Sequence, residues 1–587
     1  MPSQLIDFGA MAYPTVKSDR QLNENLAGKI VDGYINELKQ YVKRPGLTTF
    51  LTQGSASWDA LYITRSLSTN YALGVTNGTF YKINANATVT ALTGITVTAG
   101  TPAVFTEDGT NAFAVSNSRI VKFDLSGNTS AFITGGNSPT GATFIAYLDG
   151  FLVCNGEIGG GGVPGDLNFS DDKDNNYAAS DSWEVFNNEA LGDSCTAIAV
   201  QWQEIFCFGP ESMEASYNDG DSPFARIDGA INPFGILAAY SLLNIDNTLY
   251  FLGKVDGAVR LMRLEGRRPV VASESYDKLL NTITNPETGR AFAYVDDGKP
   301  FYCISFEDDI TLAFNLRTRQ WSQFAKWSGT TATGTLTSNA TAPGNGDTVT
   351  IGSYTYTFRT TLTTPSVAGE VLIGSSAAVA LDNVKAAING SAGAGTTYAE
   401  GTLANDQAIA TTNTDTTQLV VARWSGVFGN SIGTTESSSN LSWGATTLTG
   451  GTDVYDAFIG IVSAYWQEEQ KFLIGDRRAN GKLYYISGGT DAGDTIRMEL
   501  TSNVHGKGSL HHKYAGALIF SSDGGEYRVR FREVGDTWEE FFMTITEGYS
   551  QINSLGEYIR RQYQVVHEDT GQLVLLSAEE WWETGAF

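Results

Sequence analysis

The stretch Tyr71–Asn84, YALGVTNGTFYKIN, returns 40 residues later as Asn111–Asp124, NAFAVSNSRIVKFD. Apolar residues fall on apolar residues at positions 72, 73, 75, 80 and 83. The pair Asn77-Gly78 meets Asn117-Ser118, and Lys82 meets Lys122. Strand, tight turn and strand at this period are the mark of a β-propeller blade. One blade cannot bury both of its faces, so blades must stack around an axis. The expected fold class is therefore all-β, with a β-propeller core.

Composition agrees with turn-rich β-structure. Only 17% of residues are charged, against 42% hydrophobic, and glycine occurs 64 times. The net charge of −26 argues against a nucleic-acid binder, which needs Lys and Arg to displace counterions from phosphates. The basic residues form pairs such as Arg267-Arg268 and Arg560-Arg561, not patches. Acidity keeps a large protein soluble and also makes a surface that does not cling to DNA or anionic lipid. The sequence has no apolar run long enough for a transmembrane helix, so stable membrane insertion is not expected. MPSQLIDFGAMAYP has neither the basic start nor the apolar run of a signal peptide. Synthesis in a cytoplasm is expected, without disulfides holding the fold.

Four segments are expected. Residues 1–54 read as an irregular lead-in and docking segment, with one short amphipathic stretch stopped at Pro45-Gly46. Residues 55–328 alternate short strands with turns, as in TFIAYLDGFLVCN and NTLYFLGKVDGAVRLMRL. About 270 residues hold about seven units at the repeat period, so six or seven blades are expected. SESYDKLLNTI reads as a helix capped by Ser273, with Tyr276, Leu279, Leu280 and Ile283 on one face, packed outside a blade or at a subunit contact. Residues 329–454 change to Thr, Ala, Gly, Ser and Asn and read as an inserted β-rich domain. Within it, a short helix places Leu381, Val384 and Ile388 on one face and ends at Asn389-Gly390. Residues 455–587 resume the blade-like pattern and end near Trp581, Trp582 and Phe587.

The sequence offers little chemistry. Cys154, Cys195, Cys207 and Cys303 sit in apolar strand contexts without a CxxC pair and read as buried thiols. His505, His511, His512 and His567 form no zinc signature. Asp172, Asp174 and Asn176 are spaced like a calcium loop, but Tyr177 replaces its glycine and Trp183 its closing glutamate. The glycine-rich Gly156–Asp166 lacks the Lys-Ser/Thr of a phosphate cradle. Ser521–Tyr527, SSDGGEY, echoes the start of a sialidase Asp box in one copy only and reads as a turn. With no nucleophile elbow, kinase set or dinucleotide fingerprint, the chain reads as non-enzymatic, with no catalytic residues, metal or cofactor.

Four local patterns carry a family resemblance: YINELKQYVKRPGLTTF, NFSDDKDNNYAASDSWEVFNNEALGD, EIFCFGPESMEASYNDGDSPFARIDGAINPFGILAAYS and NTLYFLGKVDGAVRLMRLEGRRPVVASESYDKLLN. Together they resemble the tail hub, or tail nozzle, proteins of short-tailed bacteriophages, also known as packaged-DNA stabilisation proteins. The resemblance spans about residues 25–328 and, more loosely, 455–587. It implies a structural virion protein, made in the host cytoplasm, that forms a homo-hexameric ring beneath the portal and its head-to-tail adaptor. The ring continues the channel for genome retention and ejection. It offers contacts to tail fibres, spikes or a needle-like plug, and genomic DNA passes through without sequence-specific binding. Two other classes fit an all-β chain of this kind. One is a carbohydrate-binding or glycoside-processing propeller of a receptor-recognising tail protein. The other is a bacterial surface adhesin.

Overall fold

A computed structural model describes residues 3–8, 28–135, 137–158, 166–170, 183–186, 193–220, 224–273, 277–307, 310–505, 511–533, 539–545 and 548–584. The repeat read from the sequence supplies the middle two strands of successive blades. Ala72–Thr76 pairs with Thr79–Ile83, and Ala112–Ser116 pairs with Arg119–Asp124. Both hairpins close through two residues at positive φ: Asn77 (48°) and Gly78 (71°), then Asn117 (52°) and Ser118 (60°). This is the mirror-image turn whose twist matches that of the strands it joins.

Seven blades follow among the described residues. Blade 1 is Trp58–Ile63, Ala72–Thr76, Thr79–Ile83 and Val89–Ala91. Blade 2 is Val104–Glu107, Ala112–Ser116, Arg119–Asp124 and Thr129–Phe132. Blade 3 is Ile145–Leu148, Phe151–Asn155, Leu167–Ser170 and Trp183–Phe186. Blade 4 is Ala197–Gln201, Glu204–Phe208, Met213–Tyr217 and Ala225–Arg226. Blade 5 is Leu243–Ile245, Thr248–Val255, Ala258–Glu265 and Arg268–Ser273. Blade 6 is Arg290–Asp296, Lys299–Ser305, Thr311–Asn315 and Gln320–Trp327. Blade 7 takes three strands from late in the chain, Gly460–Trp466, Lys471–Asp476 and Lys482–Ile486, and its outer strand, Leu47–Thr52, from the start.

Inner blade strands are buried on both faces, which is why they read as unbroken apolar runs. In blade 2, Ala112 and Ala114 pack toward Leu73 and Phe80 of blade 1, while Phe113 and Val115 pack toward Leu152 and Cys154 of blade 3. Phe169, Phe206 and Phe251 join blades 3, 4 and 5. Leu252 and Tyr302 join blades 5 and 6, and Phe301 and Tyr484 join blades 6 and 7. Trp466 and Leu483 meet Trp58 and Ile83, which closes the circle between blades 7 and 1. The apolar seam is therefore continuous around the ring.

Several expectations are corrected here. The lead-in is not irregular throughout: Leu47–Thr52 pairs with Lys482–Ile486 as the outer strand of blade 7. The amphipathic stretch is a hairpin, Gly33–Ile35 with Tyr41–Lys43, whose turn is held by Asn36 Oδ1 accepting from the N–H groups of Leu38 and Gln40. Among the described residues the helix after blade 5 is Asp277–Leu280. Its cap region, 274–276, lies outside the described residues. Leu280 and Ile283 sit in the seam between blades 5 and 6, not on an outer face.

Beyond blade 7 the strands form two sheets of a sandwich, not further blades. Gly33–Ile35, Tyr41–Lys43, Val574–Thr584, Lys513–Asp523 and Gly548–Tyr558 make one sheet, with Ser3–Leu5 on Val574–Thr584. Lys29–Val31, Met498–Thr501, Arg561–His567, Tyr527–Glu533 and Glu539–Ile545 make the other, which continues from blade 6 through the parallel pairing of Val31 with Gln323. Leu500, Leu518, Phe520, Val529 and Tyr563 fill the space between them.

Between blades 6 and 7 the chain builds two more four-stranded sheets and the helix Ala377–Asn389. Ser376 caps this helix by accepting from Val379 N–H, and Gly390 ends it at φ 61°. Leu381, Val384 and Ile388 enter a core drawn wholly from residues 332–448. The chain leaves and returns at one place, where Thr330 and Thr452 exchange backbone hydrogen bonds of 3.2 Å.

Two outcomes are expected. Trp58→Ala empties the seam between blades 7 and 1 and should cost about 3–5 kcal/mol in urea unfolding. We also propose that residues 329–454 are a separable domain. Expressed alone they should unfold cooperatively, whereas a non-cooperative melt would make them part of the propeller's core.

Candidate functional site: the closing joint and the propeller axis

The sequence Lys43-Arg44-Pro45-Gly46 leads into the strand that closes the ring. Pro45 and Gly46 turn the chain, and Gly46 N–H donates to Gly488 O at 2.8 Å. A Cβ at Gly46 would lie 2.1 Å from Thr490 O, so only glycine fits against that backbone. Arg44 is fully buried beside this turn. Its Nε donates to Asp32 Oδ1 at 2.7 Å, and its two Nη atoms donate to the Asp491 carboxylate at 2.9 and 2.6 Å. A further Nη bond reaches Ala325 O at 3.2 Å, on the outer strand of blade 6. The guanidinium lies over Phe458, 4.7 Å from the ring centre, and near Phe324 at 5.5 Å. One side chain thereby gathers blade 6, the entry to blade 7, the exit from blade 7 and the sandwich.

Two carboxylates share this single guanidinium. Asp491 holds it with a two-point fork, and Asp32 with one bond. Burial of Asp32 outweighs the pull of Arg44 and raises its carboxyl to about 6. The Arg44 guanidinium itself is held firmly charged: burial opposes this, but Asp32 and Asp491 overcome it. Lys43 next door bonds the carbonyls of Asp569 and Gly571. Its burial and the charge of Arg44 lower it to about 8.

A second buried charge cluster ties the 329–454 segment to the sandwich. Arg497 lies 3.8 Å above the Trp327 ring and pairs with Glu499 at 2.7 Å and Glu568 at 2.8 Å. Burial alone would raise Glu499, but Arg497, Lys29 and Arg530 hold it down at about 2. Trp327 Nε1 donates to Ser425 Oγ at 2.7 Å, and Ser425 Oγ donates to Glu568 at 3.1 Å. Arg528 lies 4.7 Å from the Trp424 ring.

The inner strands of the propeller surround a largely apolar space. Where blades 1, 5, 6 and 7 meet, a cavity of about 760 Å³ is walled by Leu61, Tyr62, Leu243, Val295, Ala464 and Tyr465, with Arg65 and Asp246 also on its lining. Tyr62 stacks on Phe105 with the rings 9° from parallel. A DNA duplex, whose major groove alone is about 12 Å wide, brings phosphates that require cations or water. This wall offers one guanidinium, Arg65, together with the Asp246 carboxylate and a mostly apolar lining.

Residues flagged by sequence patterns do not converge. Ser521–Tyr527 is a turn from one sandwich sheet to the other, with Gly524 and Gly525 at φ 73° and 71°. The calcium-like Asp172, Asp174 and Asn176, and positions 159–165 of the glycine-rich loop, lie outside the described residues. All four cysteines are buried thiols, none of them in a disulfide. Among the described residues, no group of three or more His, Cys, Asp or Glu could hold a metal ion. No helix among them is long and apolar enough to cross a membrane. The Lys-Arg-Pro-Gly motif is visible in sequence, but its partners Asp32, Phe458 and Asp491 carry no local signal.

The family model for the bacteriophage P22 Gp10 β-propeller matches residues 35–341. The chain belongs to that family. The matched span runs from the hairpin ahead of the closing strand through blade 6 and places the chain among phage structural proteins of the tail. The chain is also similar to a catalytically inactive virginiamycin B lyase from Staphylococcus aureus crystallised with quinupristin. That likeness has 11% identity and a TM-score of 0.32, over 47% of this chain and 87% of the other, and carries no argument. No curated protein matches the chain.

The joint makes two predictions. Arg44→Met leaves buried carboxylates uncompensated and should cost about 3–5 kcal/mol. Asp32→Asn keeps an acceptor for Arg44 and removes the surplus charge. Because the folded state holds the Asp32 proton up to about pH 6 and the unfolded chain only to about 3.8, this group's contribution to stability falls as pH rises through that window. The variant's urea midpoint should therefore gain on wild type between about pH 4 and pH 6, and equal spacing across that window would refute the assignment.

Proposed function

We propose that the protein is the distal tail-tube component of a short-tailed phage, acting as a non-enzymatic, homo-hexameric nozzle for genome retention and ejection. The observation that carries this reading is the family match over blades 1–6 together with the closing strand. A propeller whose seams are continuous is a stiff block, and stiff blocks with one repeated contact close into rings. The conduit in this reading lies on the symmetry axis of the ring, between copies. A lining dominated by side chains such as Leu61, Tyr62 and Val295 suits a phosphate backbone poorly.

The charge supports the same mechanism. Each copy contributes −26, so the assembled wall repels phosphates on average, and DNA slides without being gripped. Partners in this reading are the portal-adaptor protein above, and fibres, spikes or a plug around and below.

Native mass spectrometry of the purified chain, with and without the adaptor, tests the proposal. A hexamer in either sample is expected. Monomers alone in both would overturn it.

A further inference from the structure

Blade 4 carries an anomaly at the turn between its first two strands. The matching turns of blades 3, 5 and 6 are Asp149-Gly150, Asp246-Asn247 and Asp297-Gly298, residue types that accept positive φ. In blade 4 the same positions hold Trp202 at φ 51° and Gln203 at φ 62°. A bulky residue is strained there, yet Trp202 gains no burial for it: it is 52% exposed. Strain that stability does not explain points to function.

The indole borders a pocket of about 450 Å³ lined by Glu204, Asp228, Gly229, Ala230, Gly266 and Arg267, within the usual range of small-molecule sites. Arg267 Nε donates to Glu204 Oε2 at 2.9 Å, and the other carboxylate oxygen takes Nη2. The Arg267 carbonyl is fixed in turn by Asn232 Nδ2 at 2.9 Å. Gly229 and Gly266 have positive φ, 76° and 63°, and a Cβ on either would enter open space.

We propose that this pocket binds a carbohydrate, with a pyranose ring lying on the Trp202 indole and its hydroxyls bonded to Glu204, Arg267 and Asp228. The chemistry selects this class. Two carboxylates against one guanidinium disfavour phosphate or another anion. The apolar lining is one aromatic face and one alanine, too little for a lipid or an aliphatic side chain. A flat aromatic face beside fixed donors and acceptors suits a neutral polyol, which presents C–H groups on one side and hydroxyls at its edge.

Saturation-transfer NMR on the full chain tests the site, using methyl α-D-glucopyranoside, methyl β-D-galactopyranoside, N-acetyl-D-glucosamine and L-rhamnose, with choline as the cationic control. Transfer to ring protons of at least one sugar is expected. Binding should weaken about tenfold or more in Trp202→Asn and in Glu204→Gln. The double variant Trp202→Asn, Gln203→Gly restores a relaxed turn, so its melting temperature should equal or exceed wild type while binding is lost. The proposal is overturned if no sugar shows transfer, if Trp202→Asn binds as wild type, or if choline alone binds. It is equally overturned if the variant loses its oligomeric state with sugar transfer intact, which would make Trp202 a subunit contact.

Discussion

A ring has no free end, and the pairing of Leu47–Thr52 with Lys482–Ile486 is what removes the end here. Six blades are built by consecutive chain, each covering one face of the next. Without the closing strand, blade 7 would expose an edge and the seam containing Trp58 and Trp466 would open to water. Because the strand comes from the beginning of the chain, closure depends on an early segment reaching a late one. Arg44, one turn before that strand, fixes its direction by holding Asp32 and Asp491 at once.

Such a joint is expensive in charge, since a buried set of ions gains little net stability over apolar residues of similar volume at all of its positions, although removing one ion alone is costly. Its value is geometric. A fork to Asp491, a single bond to Asp32 and two aromatic faces admit only one arrangement of four chain segments. The second cluster around Arg497 works alike on the 329–454 segment, whose own core is complete without the rest. The molecule thus combines blocks with independent apolar cores and fixes their junctions with buried ions. For a tail component this is useful: stiffness comes from the seams, and relative placement comes from the joints.

Much of the fold was legible because propeller strands leave a local trace. Asn77-Gly78 and Asn117-Ser118 announce their turns, and the apolar runs between them announce strands buried on both faces. Helix Ala377–Asn389 was legible from Leu381, Val384 and Ile388 and from its glycine stop. Reading failed where the local pattern was shared by two architectures. Lys513–Asp523 and Arg561–His567 read as blade strands, yet they lie in opposite sheets of a sandwich, because pairing partners are chosen by distant chain and not by local pattern. Leu47–Thr52 fell within the expected irregular lead-in for the same reason, since its partner Lys482–Ile486 comes from late in the chain. Nor did any spacing mark Trp202 as a site, because Glu204 lies beside it in sequence but Arg267 arrives from the next blade.

The class of structure is legible in the chain alone: strands, tight turns, a repeat of blade length, and a strongly acidic net charge. These follow from period, turn chemistry and net charge, which are properties of short stretches or of sums. The folded chain settles how many blades there are, which strand shuts the ring, where the blades give way to the sandwich, and that a largely apolar cavity lies where blades 1, 5, 6 and 7 meet. Those depend on contacts between residues hundreds of positions apart, whose free energy appears only when the ring is closed.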